Sequence, residues 1–253
     1  MFHDISYETG KQMFAYLDKH YSVISLDTYL SACSNKELQL PPKSIIITFD
    51  DGQRRNYDLL PLFKHYNWRP TIFLCSGIIN TNRHYWFTFT TPGISKSNLK
   101  KLSNQERLEA LKKAGFLVDK EFAHPQALDK KQIEKMRKQI DFQAHTIMHP
   151  CLPTCTNEEA REEIEGCKQM LEHEYDFSIK AFAYPNGDYT DREIKLLSQS
   201  GYQCGLTVDF GFNTKYSDLY QLKRLSVNDT ENIDEFVVKA SGCWGWLKNL
   251  NKS

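Results

Sequence analysis

The chain has 253 residues, 40% of them apolar and 25% charged, enough to bury a full core in one large domain or two small ones. Its 32 basic residues balance 32 acidic ones, which excludes a disordered polyelectrolyte and argues against charge-driven binding of nucleic acid. The longest apolar stretches, such as 70–79, reach about half of the roughly 20 residues a membrane span needs, so no bilayer crossing is expected.

Residues 1–11 carry Asp4 and Glu8 and show no basic stretch leading into an apolar one, so no secretory signal is read there. Seven cysteines, odd in number and irregular in spacing, read as reduced thiols. Both features point to the cytoplasm, or to an exported protein if an upstream segment is missing. Met13, Phe14, Leu17 and Tyr21 outline an amphipathic helix, and 25–33 a second. Residues 44–49 (SIIITF) are a β-branched run closed by Asp50, Asp51 and Gly52, a buried strand ending in a loop. Tyr57, Leu60 and Phe63 then fall at helical spacing within 54–66, and 70–75 (PTIFLC) is the next strand. The stretch 88–138, with twice as many basic as acidic residues, interrupts this pattern and reads as inserted helices over one face. A short strand at 141–144, a helix opening on the capping box Thr156-x-x-Glu159 and a strand at 179–183 follow. Thr190-x-x-Glu193 opens another helix, which Gly201 can close. Strands at 202–208 and 221–227 and a helix at 233–240 complete the pattern, an α/β alternation that predicts a parallel sheet or barrel covered by helices.

Polar residues cluster at the ends of these strands. Asp50 and Asp51 end the first, His145 follows the third, Tyr184-Pro185-Asn186-Gly187 follows the fourth and Asp209 the fifth. Parallel α/β folds point the loops at their strands' carboxyl ends to one face, so four distant segments converge. His145 and His149 can hold one ion if the chain turns after the strand. A strand-end carboxylate completes a two-histidine, one-carboxylate set with open positions for water and substrate. Because neighbouring side chains diverge, one of Asp50 and Asp51 can ligate while the other acts as a base. A closed zinc site of His145, His149, Cys151 and Cys155 is the competing arrangement, disfavoured by Pro150 and Pro153 and by the purposeless Asp pair it leaves.

Ile47-Thr48-Phe49-Asp50-Asp51-Gly52, His145-Thr146-x-x-His149-Pro150 and Phe182-x-Tyr184-Pro185-x-Gly187, in that order, resemble the first three motifs of the polysaccharide deacetylases of carbohydrate esterase family 4. The likeness covers 41–240. It implies a distorted (β/α) barrel of about seven strands, as one catalytic domain over 1–253 with a helical insertion at about 88–138. It also implies metal-dependent hydrolysis of the N-acetyl group of a sugar polymer or oligosaccharide, releasing acetate. Asp51, His145 and His149 are then the ligands of one divalent ion, Asp50 the base, and the backbone N–H of Tyr184 an oxyanion donor at the substrate. Zinc suits that ligand set best, with cobalt, nickel or iron as alternatives. An acetamide is a poor electrophile, and a divalent ion both activates water and polarises the carbonyl. The amine must leave protonated, which requires a general acid.

The sequence departs from the family in three places. Many members have a late Leu-x-x-His motif, but no histidine lies beyond His173, so the general acid is open among Asp50, His84, His124 and a water. The arginine that often precedes the tyrosine is absent, and Arg224 is expected to pair with Asp50 instead, a surface ion pair being the alternative. Within 85–87 (Tyr-Trp-Phe), where the long insertion leaves the sheet, Trp86 is expected to stack on a sugar ring and Phe87 to pack in the core. A deacetylase of N-acetylated polymer leads. A deacylase of a small or lipid- or nucleotide-linked sugar, and a catalytically silent carbohydrate-binding module, are the other readings. The sequence carries no signal for an oligomeric state.

Overall fold

In a computed structural model, residues 1–35, 37–227 and 229–245 are described. Two parallel sheets form. β1 (Ser22–Val23) pairs with β2 (Ser44–Ile45), and a six-stranded sheet holds β3 (Thr48–Phe49), β4 (Thr71–Leu74), β5 (Asp141–Ala144), β6 (Ala181–Ala183), β7 (Cys204–Phe210) and β8 (Leu222–Arg224). Its order is β3-β4-β5-β6-β7-β8, every strand parallel to its neighbour in sequence, and it curls into a half-barrel. All four residues of both β4 and β5 are buried, as expected for parallel strands covered on both faces.

The amino-terminal residues bridge the open side of the half-barrel. Phe2 forms a parallel bridge to Phe49 on β3, with Phe2 N–H donating to Thr48 O and Asp50 N–H to Phe2 O. On its other side, the Met1 nitrogen donates to Leu225 O just beyond β8, and Val227 N–H donates to Met1 O. The Phe2 ring stacks on Phe49 at 5.2 Å and contributes to the main core. Edge backbone groups that would otherwise stand unpaired are thereby satisfied. This short segment, absent from the strands read in the sequence, brings the tally near the seven expected.

The helices are α1 (Tyr7–His20), α2 (Leu26–Ser34), α3 (Leu60–His65), α4 (Lys96–Leu99), α5 (Asn104–Lys113), α6 (Lys130–Met136), α7 (Asn157–Arg161), α8 (Cys167–Tyr175), α9 (Asp191–Gln199) and α10 (Ile233–Ala240). The capping boxes at Thr156/Glu159 and Thr190/Glu193 both form, opening α7 and α9. Three elements differ from the sequence pattern. The 44–49 run splits, because β2 pairs with β1 whereas β3 pairs with β4. The 54–66 helix begins as a 3-10 turn (Arg54–Leu59) and becomes α-helical where Pro61 sits in the first turn of α3. Between α7 and α8 the helix widens into a π turn (Glu162–Gly166).

Within 88–138, α4 and α5 dock on the barrel through an apolar cluster of Trp86, Leu99, Leu111, Phe116 and Cys151. Arg107 is 1% exposed there, donating to Thr154 Oγ1 and Leu102 O and lying 5.3 Å over the Trp86 ring. Among the described residues no helix is long and apolar enough to cross a membrane.

Candidate active site

Asp50 and Asp51 follow β3, His145 follows β5 and Arg224 ends β8, so the carboxyl ends of the strands deliver three of the expected residues to one pocket and set Arg224 behind it against Asp50. His145 Nε2 and His149 Nε2 each lie 3.4 Å from Asp51 Oδ1, and one ligand atom from each of the three residues falls within 4.8 Å of the others. Two donors about 2.0–2.2 Å from a common tetrahedral ion sit at about that 3.4 Å separation. His145 Nδ1 meets Ala183 O at 2.7 Å, and a carbonyl only accepts, so Nδ1 carries the proton and the Nε2 lone pair faces Asp51. Asp51 Oδ1 is buried without a hydrogen-bond partner, a costly state that a cation would relieve. Burial pushes the His149 pKa down to about 4, so its ring is neutral and able to ligate near neutral pH. Burial alone would raise Asp51's pKa, but a proton on either neighbouring imidazole outweighs it and holds the carboxyl below the usual range, the place a cation takes when the rings are neutral. The donors present therefore fit a divalent ion.

Asp50 is 3% exposed, and its two oxygens accept from Arg224 Nη1 and Nη2 at 2.7 Å each. Arg224 Nε donates to Thr207 O, which fixes the guanidinium plane. Burial opposes ionisation of Asp50, but the guanidinium overcomes it and keeps the pKa below the ordinary carboxylate value.

The loop between the two histidines is held from below. Glu163, on the π turn, accepts from Ile147 N–H at 2.7 Å and Met148 N–H at 2.9 Å. Gly77 packs so close that a Cβ there would meet Ile147 Cγ2 and Met148 Sδ at 2.7 Å. Asp51, Thr146, His149 and Asn186 all have positive φ, between 57° and 72°, and β-branched Thr146 in that region is a real strain. The surrounding bonds hold these conformations, as is common where a site must be preformed.

The family model for polysaccharide deacetylases matches residues 37–205. The chain belongs to the polysaccharide deacetylase family. Among curated proteins, the poly-β-1,6-N-acetyl-D-glucosamine N-deacetylase of Staphylococcus epidermidis is 25% identical over 193 residues, 76% of this chain and 57% of that protein. YxkH of Bacillus subtilis is 24% identical over 188 residues, 74% and 52% of the two chains. The chain thus spans about half the length of the curated relatives it matches. The Streptococcus pyogenes deacetylase PplD, solved with acetate, superposes with a TM-score of 0.67 at 20% identity over 94% of both chains. IcaB from Ammonifex degensii superposes at 0.64 with 16% identity, over 93% of this chain and 87% of that one. At such identities these structures establish the deacetylase fold.

In this member of the family two expected residues stand elsewhere than the motifs suggested. The backbone N–H of Tyr184 donates to Leu206 O in the β6–β7 ladder, and its hydroxyl donates to Tyr220 O, so neither group reaches the pocket. The polar position of that motif at the pocket is the half-buried Asn186, whose backbone N–H meets no acceptor among the described residues. Trp86 is 3% exposed and cannot stack on a sugar, because its Nε1 donates to His149 O at 2.7 Å and Arg107 covers its face. The aromatic ring at the pocket is Phe87, 4.9 Å from the His149 ring. His84 and His124 contact one another, Nε2 to carbonyl, outside the pocket. The thiols of Cys151 and Cys155 turn away from the histidines: Cys151 Sγ accepts from Asn186 Nδ2, and Cys155 Sγ donates to Cys151 O. Asp209 accepts from the Tyr189 hydroxyl, also outside the pocket.

The residue that sequence reasoning missed is His3. It lines the pocket with Asp50, Asp51, His145 and His149, and its Nδ1 meets Asp229 Oδ2 at 3.2 Å. Burial lowers its pKa, but the Asp229 hydrogen bond and the charges of Asp50 and Asp51 more than reverse this and raise it to about 9. The signal was slight, a histidine within Phe2-His3-Asp4-Ile5, and only the Phe2 bridge to Phe49 carries it beside Asp50.

Proposed function

We propose that the chain hydrolyses the N-acetyl group of an N-acetylated sugar polymer or oligosaccharide, with one divalent ion held by Asp51, His145 and His149. Zinc is the ion these donors suit best. The observation that carries this reading is the buried, unpartnered Asp51 oxygen facing both imidazole Nε2 atoms beside the ion-paired Asp50. The deacetylase family and the N-deacetylase activity in the name of the Staphylococcus epidermidis relative support the substrate class.

When bound, the ion supplies polarisation of the acetamide carbonyl and a lower pKa for water. Asp50, kept ionised and oriented by Arg224, accepts the proton of the attacking water at a carboxylate oxygen. As negative charge builds on the carbonyl oxygen, the free N–H of Asn186 donates to it. His3, charged and steadied by Asp229, gives its proton to the amine nitrogen as the C–N bond breaks. His3 thereby fills the role for which the late chain offers no histidine, and this removes the motive for a silent binding module.

The test is acetate release from N-acetylglucosamine oligomers by the metal-loaded chain, before and after chelation, alongside Asp51→Asn. Chelation should abolish release, with readdition restoring it, and the variant should be inactive at every ion concentration. Release that survives both chelation and Asp51→Asn refutes the reading.

A further inference from the structure

The catalytic pocket does not end at the ion site. Lys96, Ser97 and Lys100 line its about 430 Å³ cavity together with His3. Ser97 and Lys100 also line a neighbouring cavity of about 620 Å³ that continues past Lys101 to Asp188 and Tyr189. The two spaces share those two residues, and consecutive residues Asn186 and Gly187 line one each, so the cavities adjoin and an extended ligand can run from one along the other as a groove leading out of the site.

Charge in this groove is unbalanced. Within the catalytic pocket Asp50 is neutralised by Arg224, and Asp51 faces the histidines. From its rim outward stand three ammonium groups, Lys96 and Lys100 on the catalytic pocket and Lys100 and Lys101 on the neighbouring cavity, against the single carboxylate of Asp188. None of the three lysines forms an ion pair among the described residues. Burial raises the Asp188 pKa and the Lys100 charge opposes that rise, so Lys100 is the lysine whose field this carboxylate feels. Lys96 opens α4 and Lys100 caps it one turn later, so two like charges stand close together where neither stabilises the other. The segment carrying them is nevertheless anchored: Leu99 is 1% exposed in the cluster with Trp86 and Cys151, and buried Arg107 ties the following helix to Thr154. Ammonium groups held along a partly enclosed groove focus a positive potential and raise the local concentration of anions.

We propose that the substrate carries a negatively charged group, phosphoryl or carboxylate, next to the acetylated sugar, and that Lys96, Lys100 and Lys101 bind it. This rests on the N-deacetylase reading and narrows its substrate to an anionic glycan or a phosphate-linked sugar. The acetamide occupies the ion pocket while the neighbouring unit lies in the lysine groove, its anion paired without displacing any existing contact.

The experiment compares acetate release and binding for three N-acetylglucosamine-containing oligomers of equal length: neutral, phosphodiester-linked, and alternating with a uronic acid. The wild-type metal-loaded chain should show kcat/KM about tenfold higher for at least one anionic oligomer, and higher salt should erode that advantage. In Lys96→Gln/Lys100→Gln/Lys101→Gln the anionic value should fall to within about twofold of the neutral one. Lys100→Gln alone should give a partial loss, which guards against a misfolded triple variant. A phosphodiester preference names a phosphate-linked substrate, and a uronate preference an acidic polymer. Equal turnover of neutral and anionic oligomers by the wild type, or an anionic preference that survives the triple substitution, overturns the proposal. If no oligomer releases acetate, the deacetylase reading fails instead. Calorimetric binding of the same oligomers to wild type and triple variant then still decides the lysine groove, with equal affinities for all three refuting it.

Discussion

Replacing Arg224 with methionine fills similar space but leaves the Asp50 carboxylate buried, with no side-chain partner for either oxygen. Removing one member of a buried ion pair costs about 3–5 kcal/mol, because the remaining charge keeps its desolvation penalty and loses its compensation. In a chain of this length each kcal/mol is about 2–4 °C, so the melting temperature at neutral pH should fall by about 10 °C. The pH dependence gives the sharper test. In the wild type the folded-state pKa of Asp50 is depressed, so its stabilisation is present above the unfolded value of about 3.9 and is lost as pH falls through the folded one. In Arg224→Met burial loses its main opponent, with only the charges of His145 and His3 left to act against it, and the folded pKa rises from its wild-type position. The deficit should then be largest at pH 7 and shrink towards pH 4 as the carboxyl protonates. Urea melts at a series of pH values measure this, and kcat/KM profiles should show the acidic limb moved to higher pH, because the base protonates sooner. A deficit below about 1 kcal/mol at pH 7, or an acidic limb that stays in place, refutes the claim that the pair holds the base in its ionised form.

Three further substitutions probe the remaining parts. His3 has a raised pKa of about 9, so any stability it adds is complete below its unfolded value of about 6.5 and is lost as pH rises through 9. Asp229→Asn should pull an NMR titration of His3 down towards 6.5, and His3→Asn should cut kcat by about 100-fold or more. An unchanged kcat would remove it as general acid. Glu163→Ala strands two partly buried backbone N–H groups and should lower metal affinity by about 10–100-fold in a chelator competition, while Glu163→Gln, which keeps an acceptor, should retain most of it. Trp86→Phe should destabilise the fold by about 1 kcal/mol by losing the bond to His149 O, with KM unchanged; a large rise in KM would return Trp86 to the substrate.

The sequence by itself determined the alternation of strands and helices, and with it the place of Asp50, Asp51, His145 and His149. In a parallel sheet the carboxyl end of each strand is readable from local pattern, and the loops there share one face whatever the packing. Arg224 was legible for the same reason, as a residue ending a strand.

Tertiary structure decided the rest, because those features depend on pairings that sequence spacing does not encode. His3 reaches Asp229 across 226 residues of chain, through the bridge that Phe2 makes with β3. The register of β6 against β7 spends the Tyr184 amide on Leu206 and leaves the Asn186 amide without an acceptor among the described residues, a pairing that local sequence does not specify. Whether Trp86 or Phe87 faces substrate was set by how the 88–138 segment docks. Arg107 and Leu99 close over the indole, leave the phenyl ring at the pocket and turn three lysines into the groove. A hydrophobic pattern states which residues prefer burial, but long-range packing selects among them when more are available than the core can hold.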